Sequence, residues 1–266
     1  MTMAGRLAER RAIVTGGASG IGLAIAKRFA AAGAAIALLD LDESGCEAAT
    51  RELSDSGVEV LCHVGNAADP VVVDRLAERL AEAGGVNVLV NAAAPSTALD
   101  AGGDWETWRV GIEHALSSAY LVTRRLQRLL VADAAGGRGA AIVNISSGAA
   151  YGATRFPWYG AAKAGLLSLT RALAWELGPA GVRANAIVPG TIWTPRSIGL
   201  REQPERLAAL ESSIPLGRIG EANEVAEAAL FLADPATSSF VSGAELLVDG
   251  GRNVAGTVPV GAERRG

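Results

Sequence analysis

The sequence predicts an α/β fold: one doubly wound domain whose seven-stranded, mostly parallel sheet is covered by helices on both faces. Three observations support this prediction. Short apolar runs alternate with longer helical patterns along nearly the whole chain, as in β-α units. Most of the short runs are continuously apolar, which is typical of parallel strands buried on both faces. No repeat or Pro/Ser-rich linker divides the 266 residues into separate units.

The predicted elements follow one another in regular order. Runs rich in Ala, Val, Ile and Leu predict strands at residues 12–15, 35–39, 58–61, 86–90, 140–145, 184–188 and 245–248. The segments between them predict helices at residues 20–32, 43–55, 70–83, 104–131, 159–177 and 221–233. Gly33 and Gly178 are stop signals for two of these helices. The polar stretch 252–266 is predicted to be a C-terminal tail.

Charge and residue usage argue against several classes of protein. The net charge of −4 disfavours nucleic acid and anionic membrane surfaces as partners. Two cysteines without a C-x-x-C pair predict no disulfide framework, and two histidines without ligand spacing predict no metal site. The first residues lack the apolar segment of a secretory signal, and the longest uncharged stretches contain Asn, Ser and Gly. The sequence therefore predicts a cytoplasmic protein without a membrane span.

A glycine-rich turn follows the first predicted strand and leads into a helix. It reads TGGASGIG over residues 15–22. Glycines let such a turn adopt positive φ and bring backbone N–H groups close to a pyrophosphate, and the helix N-terminus adds its positive dipole end. Because the spacing is not G-x-G-x-x-G, the loop alone is also compatible with a turn that binds no ligand.

An acidic residue at the end of the second predicted strand strengthens the cofactor prediction. Asp40 follows Gly22 by 18 positions, and an acid about 20 positions after the turn is placed to bind a ribose 2′-OH. Taken alone, Asp40 fits a helix cap or a solvated loop acid equally well. A carboxylate there repels a 2′-phosphate, and Gly17, Ala18 and Leu41 supply no cation to attract one. The sequence therefore predicts a Rossmann-type site that prefers NAD to NADP.

A tyrosine and a lysine open one predicted helix on the same face. Tyr159 and Lys163 lie four residues apart, a spacing that chance rarely produces in a chain with three tyrosines and two lysines. A nearby ammonium favours phenolate, which can exchange a proton with an alcohol or a ketone. Ser146 and Ser147 follow the strand 140–145, at the sheet edge where α/β folds place their ligands. Either serine can also be a loop or capping residue.

These motifs resemble those of the short-chain dehydrogenase/reductase family over nearly the whole chain. The resemblance implies that Tyr159 is the acid/base and that Lys163 binds the nicotinamide ribose and tunes the tyrosine. Ser147 would orient the carbonyl, with Ser146 as the alternative, because the Ser147–Tyr159 spacing is one residue shorter than is usual in the family. The matching segments are TGGASGIG at 15–22, Asp40, LVNAAA at 89–94, NISS at 144–147, YGAAK at 159–163, NAIVPGTIWT at 185–194 and VDGG at 248–251.

The resemblance also implies the extent of the cofactor site and of the assembly. It implies an NAD-binding domain over residues 1–251, a mobile substrate lid at about 191–215 and a homotetramer. The residues that it places at the cofactor are Gly16, Ser19, Gly20, Ile21, Gly22, Asp40, Leu41, Val64, Asn91, Ala92, Ala93, Tyr159, Lys163, Pro189, Gly190, Ile192 and Thr194.

Aromatic residues beside the catalytic motifs predict the substrate end of the site. Trp158 and Trp193, together with Ser147 and Tyr159, are predicted to contact the substrate. An apolar pocket of this kind suits a cyclic or aromatic secondary alcohol or ketone. The same aromatics are equally compatible with core packing or a subunit contact.

Four positions depart from the family pattern. Ala92 and Ala94 replace an Asn and a Gly, His63 replaces an Asp after the third strand, and Ala115 replaces an Asn of the proton relay. Neighbouring waters, or Ser117 one turn away, are the predicted partial substitutes in that relay. The two histidines are otherwise interpreted as packed or surface residues.

Two functions from different classes fit these observations. The first is an NAD(H)-dependent oxidoreductase that transfers a hydride between nicotinamide and a secondary alcohol or ketone. The second is an NAD-binding regulatory or scaffold protein with weak catalysis, which the alanine substitutions suggest. The intact Ser/Tyr/Lys set favours the enzyme, and the short chain disfavours the family's larger epimerase/dehydratase branch. The predicted partner is a small molecule, with neither nucleic acid nor membrane.

Overall fold

A parallel sheet organises the described part of this computed structural model, which comprises residues 5–95, 104–152 and 154–253. The strands are β1 (Arg11–Thr15), β2 (Ala35–Asp40), β3 (Val60–Val64), β4 (Val88–Asn91), β5 (Ala140–Ile145), β6 (Val182–Pro189), β7 (Ile192–Trp193), β8 (Gly220–Glu221) and β9 (Glu245–Val248). Within those residues, seven strands form one sheet in the order β3-β2-β1-β4-β5-β6-β9, and all its pairings are parallel. The short strands β7 and β8 pair separately.

Helices cover both faces of this sheet. They are α1 (Gly20–Ala31), α2 (Glu43–Ser54), α3 (Pro70–Glu82), α4 (Trp105–Ile112), α5 (Ser118–Asp133), α6 (Pro157–Leu177), α7 (Pro204–Ser212), α8 (Ala222–Ala233) and α9 (Pro235–Ser238). Shorter helical turns are of the π type at Glu113–Ser117 and Ala134–Arg138, and of the 3₁₀ type at Gly148–Ala150, Gly178–Ala180 and Ile198–Glu202. Aspartate side chains cap the first backbone N–H groups of α2, α3 and α4.

The two faces of the sheet bury separate cores. Because successive side chains of a strand point to opposite faces, Ala12 and Val14 of β1 contact one core and Ile13 contacts the other. The first core is closed by α1, α2 and α8, and the second by α3, α5 and α6. The predicted α/β fold, with its doubly wound seven-stranded sheet, is therefore confirmed.

The third strand differs from the prediction in its position. The apolar pattern predicts residues 58–61, whereas β3 spans Val60–Val64 and includes His63. This strand lies at the edge of the sheet, where its residues are only partly buried or exposed. An edge strand tolerates a polar side chain such as that of His63. A strand predicted from the apolar run alone therefore ends before the observed strand does.

The long middle helix predicted at 104–131 is not a uniform α-helix. A π-type turn at Glu113–Ser117 separates α4 from α5. Such a turn holds one residue more than an α-turn, so it rotates the following residues around the helix axis. Ser118 is consequently buried, while Ser117, the predicted relay substitute, is exposed.

The two cysteines are paired, which contradicts the expectation from the sequence. Cys46 lies on the buried side of α2 and Cys62 lies in β3, and a disulfide joins them across a Cα–Cα distance of 6.2 Å. The two cysteines are separated by 16 residues, which matches no spacing motif. Their pairing depends instead on how α2 packs against β3. Within the described ranges, no His, Cys, Asp or Glu cluster is placed to hold a metal ion. Nor does any helix there have the length and apolarity needed to cross a bilayer.

A buried chain of polar side chains connects the centre of the sheet to two helices. Asn91 of β4 and Asn144 of β5 are paired in register, and the Asn91 amide donates to Asn144 Oδ1 at 2.8 Å. The Asn91 amide also donates to Thr123 of α5 at 3.2 Å, and the Asn144 amide donates to Thr170 of α6 at 2.8 Å. All four residues are buried, so each bond is made away from water. The chain of bonds fixes where α6 lies along β5.

We expect Thr170→Val to lower the free energy of unfolding by about 1–3 kcal/mol, because it leaves the buried Asn144 amide without its acceptor. Urea denaturation measures this change. Thr50→Val is the matched control, since the Thr50 hydroxyl is buried without a partner in the described structure. Removing that hydroxyl should leave stability unchanged or raise it. If Thr170→Val and Thr50→Val lowered the free energy of unfolding equally, the result would contradict a stabilising role for the buried chain of polar side chains.

Candidate active site

A cavity of about 610 Å³ lies at the carboxyl ends of the parallel strands, where α/β folds bind their ligands. It runs from the end of β2, past the ends of β1 and β4, to the segments that follow β5 and β6. The sequence-predicted site residues that line it are Gly16, Ser19, Gly20, Ile21, Gly22, Asp40, Leu41, Ala92, Ala93, Ser147, Tyr159, Lys163, Pro189, Gly190, Ile192 and Thr194.

The glycine-rich turn has a geometry that suits a phosphate group. A Cβ on Gly22 would lie 2.0 Å from the Gly16 carbonyl oxygen, so this close approach of backbone to backbone requires glycine. Gly16 itself has φ +66°, which favours glycine. The Ser19 side chain makes no capping bond to α1. The first backbone N–H groups of α1 therefore remain available to an anion, as a dinucleotide pyrophosphate requires.

The carboxylate of Asp40 is held in place by backbone donors. Its Oδ2 accepts from the Ala18 amide at 2.9 Å, and its Oδ1 accepts from the Asp42 amide at 3.1 Å. Asp40 thus links the end of β2 to the glycine-rich turn on the cavity wall. A carboxylate retains further acceptor capacity in this geometry, so it can accept hydrogen bonds from ribose hydroxyls.

The two serines after β5 have different environments. The hydroxyl of Ser146 is buried and donates to the Lys163 carbonyl at 2.9 Å, which joins the end of β5 to α6. The Ser147 oxygen accepts from the Ala149 amide at 3.2 Å, and within the described residues its proton has no acceptor. Ser147 can therefore donate to a ligand in the cavity, whereas the Ser146 proton is already used within the protein.

Tyr159 and Lys163 face the cavity from the first turns of α6. Pro157 begins this helix, where the missing N–H of proline costs no hydrogen bond. The Lys163 Nζ donates to the Ile145 carbonyl at 2.8 Å and lies 5.7 Å from the centroid of the Tyr159 ring. In the described structure the Tyr159 hydroxyl has no hydrogen-bond partner within the protein, so it is free to meet a substrate oxygen.

The lysine is nearly inaccessible to solvent, and this affects its charge. Only 3% of Lys163 is exposed. Burial, and secondarily the positive charge of Arg196, lower the pKa of Lys163 to about 8. An ammonium has three donors, and the Ile145 carbonyl accepts one of them. The remaining donors suit the hydroxyls of a ribose in the cavity.

Two predicted cofactor residues are not on the cavity wall. Val64 ends the edge strand β3, and 46% of it is exposed. Asn91 is buried beneath the wall, where its amide belongs to the polar chain with Thr123 and Asn144. Each of these residues precedes one that lines the cavity, but the strand directs its own side chain away from the wall.

The two tryptophans predicted at the substrate also lie off the wall. Trp158 packs in a buried cluster with Ala115 and Ala162, between the middle helix and α6. The Trp193 ring is covered by the guanidinium of Arg201, 4.9 Å from its centroid. The position of Trp158 matches the alternative of core packing that the sequence leaves open.

The cavity wall also contains residues that are not among the predicted catalytic, cofactor and substrate residues. Ser118 reaches it because of the π-type turn, and its hydroxyl donates to the His114 carbonyl at 2.7 Å. Sequence offers no signal for such a turn, whereas Asp42 has a recognisable signal as the N-cap of α2. The residues in this group are Leu39, Asp42, Gly65, Asn66, Ala67, Ala94, His114, Ser118, Ile145, Pro195 and Arg196.

We expect the buried lysine to make stability depend on pH. Between about pH 8 and the ordinary lysine pKa of 10.5, the unfolded chain holds a proton that the folded protein has released, so stability rises with pH. The free energy of unfolding of the wild type, relative to Lys163→Met, should rise across this range by about 3 kcal/mol at most. Urea titrations at several pH values measure the difference.

The control for this experiment is Lys27→Met, which removes the other lysine, a surface residue of α1 paired with Glu52. It should not reproduce the effect, because no buried ammonium is lost. If the wild type and Lys163→Met changed in parallel with pH, the effect of burial on Lys163 would be refuted.

Comparison with known proteins extends over nearly the whole chain. Galactitol 2-dehydrogenase (L-tagatose-forming) of Cereibacter sphaeroides is 39% identical, over 94% of this chain and 97% of its own length. Cis-4-hydroxycyclohexanecarboxylate dehydrogenase of Sinomonas cyclohexanicum is 40% identical, over 92% of this chain and 96% of its own. A solved RhlG/NADP active-site complex of Pseudomonas aeruginosa has a TM-score of 0.85 at 30% identity, covering 95% of this chain and 100% of that one.

A family-level match agrees with these similarities. The sequence model of the family described as enoyl-(acyl carrier protein) reductase matches residues 16–253, which include the glycine-rich turn from Gly16 onward, Tyr159 and Lys163. The chain therefore belongs to the short-chain dehydrogenase/reductase family, whose members bind a nicotinamide cofactor.

Proposed function

We propose that this protein is an NAD(H)-dependent oxidoreductase that transfers a hydride between nicotinamide and a secondary alcohol or ketone. One observation carries the proposal. Ser147, Tyr159 and Lys163 line the same cavity as the glycine-rich turn and Asp40, so a reacting carbon and a dinucleotide can be held in one space. The bound nicotinamide would supply or accept the hydride at its C4 atom.

The side chains around the cavity divide the remaining work. In alcohol oxidation, Tyr159 Oη takes the hydroxyl proton while the carbon–oxygen single bond becomes a carbonyl; in reduction Tyr159 returns the proton. Ser147 donates a hydrogen bond to the same oxygen and stabilises the charge that develops on it. The Lys163 ammonium, 5.7 Å from the centroid of the Tyr159 ring, would bind the ribose hydroxyls with its remaining donors. The Ile145 carbonyl keeps the ammonium in position.

The preference for NAD follows from Asp40. Two backbone amides hold its carboxylate on the adenosine side of the cavity, where it can accept from both ribose hydroxyls and repels a 2′-phosphate. The solved complex from Pseudomonas aeruginosa contains NADP, so a protein of the same fold holds the cofactor with the 2′-phosphate. On this proposal the acid at position 40 decides between them in this chain.

The proposed substrate is a secondary alcohol or the corresponding ketone, and a cyclic one is favoured. The named relatives are dehydrogenases of galactitol and of cis-4-hydroxycyclohexanecarboxylate, so both act on carbons that bear a hydroxyl. Since Trp158 and Trp193 lie off the cavity wall, the cyclic class is supported by the second relative and not by an aromatic pocket. The segment 191–215 is proposed to be the substrate lid of a domain that spans residues 1–251.

We also propose a homotetramer in the cytoplasm. Large apolar side chains are exposed on α4, α5 and α6, as expected of faces that meet another subunit. The exposed residues on these helices are Trp105, Trp108, Tyr120 and Trp175.

We expect Tyr159→Phe to reduce kcat by about 10²- to 10⁴-fold, because it removes the proton-transferring hydroxyl. The assay is a panel of cyclic and aryl secondary alcohols and ketones with NAD(H) and NADP(H). Tyr151→Phe is the control, since the Tyr151 hydroxyl bonds to Glu245 outside the cavity. It should leave turnover unchanged.

The same panel tests the second candidate function. Ala92, Ala94 and Ala115 replace family residues, and Ala115 lies buried beside Trp158. Tight NAD binding without turnover of any substrate would support a regulatory or scaffold protein. Turnover that survives Tyr159→Phe undiminished would refute the mechanism.

We expect Asp40→Ala to raise the ratio of NADP to NAD usage, expressed as kcat/KM, by about 10- to 100-fold. The variant loses an acceptor for the ribose hydroxyls and removes the repulsion of a 2′-phosphate. Steady-state kinetics with both cofactors measures the ratio. Asp55→Ala, at the exposed end of α2 away from the cavity, should not change it. A wild-type protein that prefers NADPH would refute the proposed role of Asp40 in selecting NAD.

A further inference from the structure

The cavity contains a second cation that the proposed reaction does not use. Arg196 lines the same cavity as Ser147 and Tyr159, and it is accessible to solvent at the mouth. Its Nη2 donates to the Pro95 carbonyl at 2.8 Å, which ties the segment after β7 to the segment after β4. This single bond fixes the direction of the guanidinium and leaves other N–H donors of Arg196 available.

The charge of Arg196 is not neutralised by the described protein. Among residues 5–95, 104–152 and 154–253, no carboxylate forms an ion pair with it. In the part of the chain that the structure describes, the carboxylates on the cavity wall are Asp40, which ends β2, and Asp42, and both lie at the opposite end of the cavity. Arg196 also lies close enough to the Lys163 ammonium for the two charges to repel each other. Among the described residues, the end of the cavity that contains Ser147 and Tyr159 therefore carries two cations, Lys163 and Arg196, which favours an anion there.

Two anions can enter this cavity: the pyrophosphate of the cofactor and an acidic group of the substrate. The pyrophosphate belongs beside the glycine-rich turn, and Thr194 is the residue of this segment that faces that turn. A Cβ on Gly20 would lie 3.5 Å from the Thr194 methyl group. Arg196 points away from the turn to Pro95, beyond Ala94. This placement favours the substrate as the source of the anion.

We infer that Arg196 binds a carboxylate of the substrate, so that the preferred substrates are hydroxy acids and the corresponding oxo acids. The inference rests on the proposed function and names its substrate class. A guanidinium presents parallel N–H donors that match the two oxygens of a carboxylate. The substrate would be held at two points, its carboxylate at Arg196 and its hydroxyl oxygen between Ser147 and Tyr159.

The test compares substrates that differ only in charge. The probes are 4-hydroxycyclohexanecarboxylate with its carboxamide, and 3-hydroxybutyrate with its amide. The wild type should use at least one of the acids better than its amide, by about tenfold or more in kcat/KM. Arg196→Gln should lower kcat/KM for that acid by about 10- to 100-fold, chiefly through KM, and should leave the amide nearly unchanged. Arg196→Lys should restore part of the loss.

Arg201→Gln is the matched control, because Arg201 belongs to the same segment but stacks on Trp193 outside the cavity wall. Arg201→Gln should leave kcat/KM unchanged for both the acid and the amide of each pair. Equal losses for acid and amide in Arg196→Gln would overturn the inference, since they would show that the Pro95 contact only positions the segment. A raised KM for NAD with unchanged discrimination would overturn it in favour of the cofactor pyrophosphate.

A binding measurement separates this inference from the proposed function. Cyclohexanecarboxylate, which carries the anion but no hydroxyl, is titrated into the NADH-bound protein by calorimetry. Its affinity should fall by about 10- to 100-fold in Arg196→Gln, whether or not turnover is found. Turnover of neutral alcohols without any preference for acids would refute the inference alone. Absence of turnover with every substrate would refute the proposed function, and binding that does not depend on Arg196 would refute the inference.

Discussion

Asn91 and Asn144 occupy paired positions of adjacent parallel strands, and hydrogen bonds between buried side chains run from them to Thr123 and Thr170. These bonds form where water cannot replace them, so a shift of α6 along the sheet would leave buried amide groups unpaired. Within the described residues, α6 is also joined to the sheet by the Ser146–Lys163 and Lys163–Ile145 hydrogen bonds at the end of β5 and by the Arg171–Glu245 pair at β9. The position of Lys163 relative to the end of β5, and with it the shape of the reacting end of the cavity, depends on this chain.

The elements that could be predicted are those whose signal is local. Continuous apolar runs located the central strands because both faces of those strands are buried. The edge strand β3 was misplaced because partial burial permits His63 within it. The Cys46–Cys62 pair was missed because it depends on how α2 packs against the following strand β3, which no spacing motif shows. The π-type turn at Glu113–Ser117 has no composition that distinguishes it from an ordinary helix.

The candidate site divides in the same way. Residues within one motif, such as Gly22, Tyr159 and Lys163, reach the cavity because a single turn or helix sets their spacing. The choice between Ser146 and Ser147 required the backbone, since adjacent residues of a strand end point in opposite directions. Arg196 gave no signal in the sequence, because its importance depends on which charges lie across the cavity from it.

The π-type turn makes the two parts of the middle helix partly independent. Before it, α4 presents Gly111 to the ring of Trp158, with no room for a Cβ. After it, α5 presents Val122 and Leu126 to the sheet. A change of one residue in length is absorbed at the turn without disturbing either packing surface. Because Ser118 belongs to the same helix as Val122 and Leu126, its place on the cavity wall is set by the packing of α5 against the sheet and not by the packing of α4.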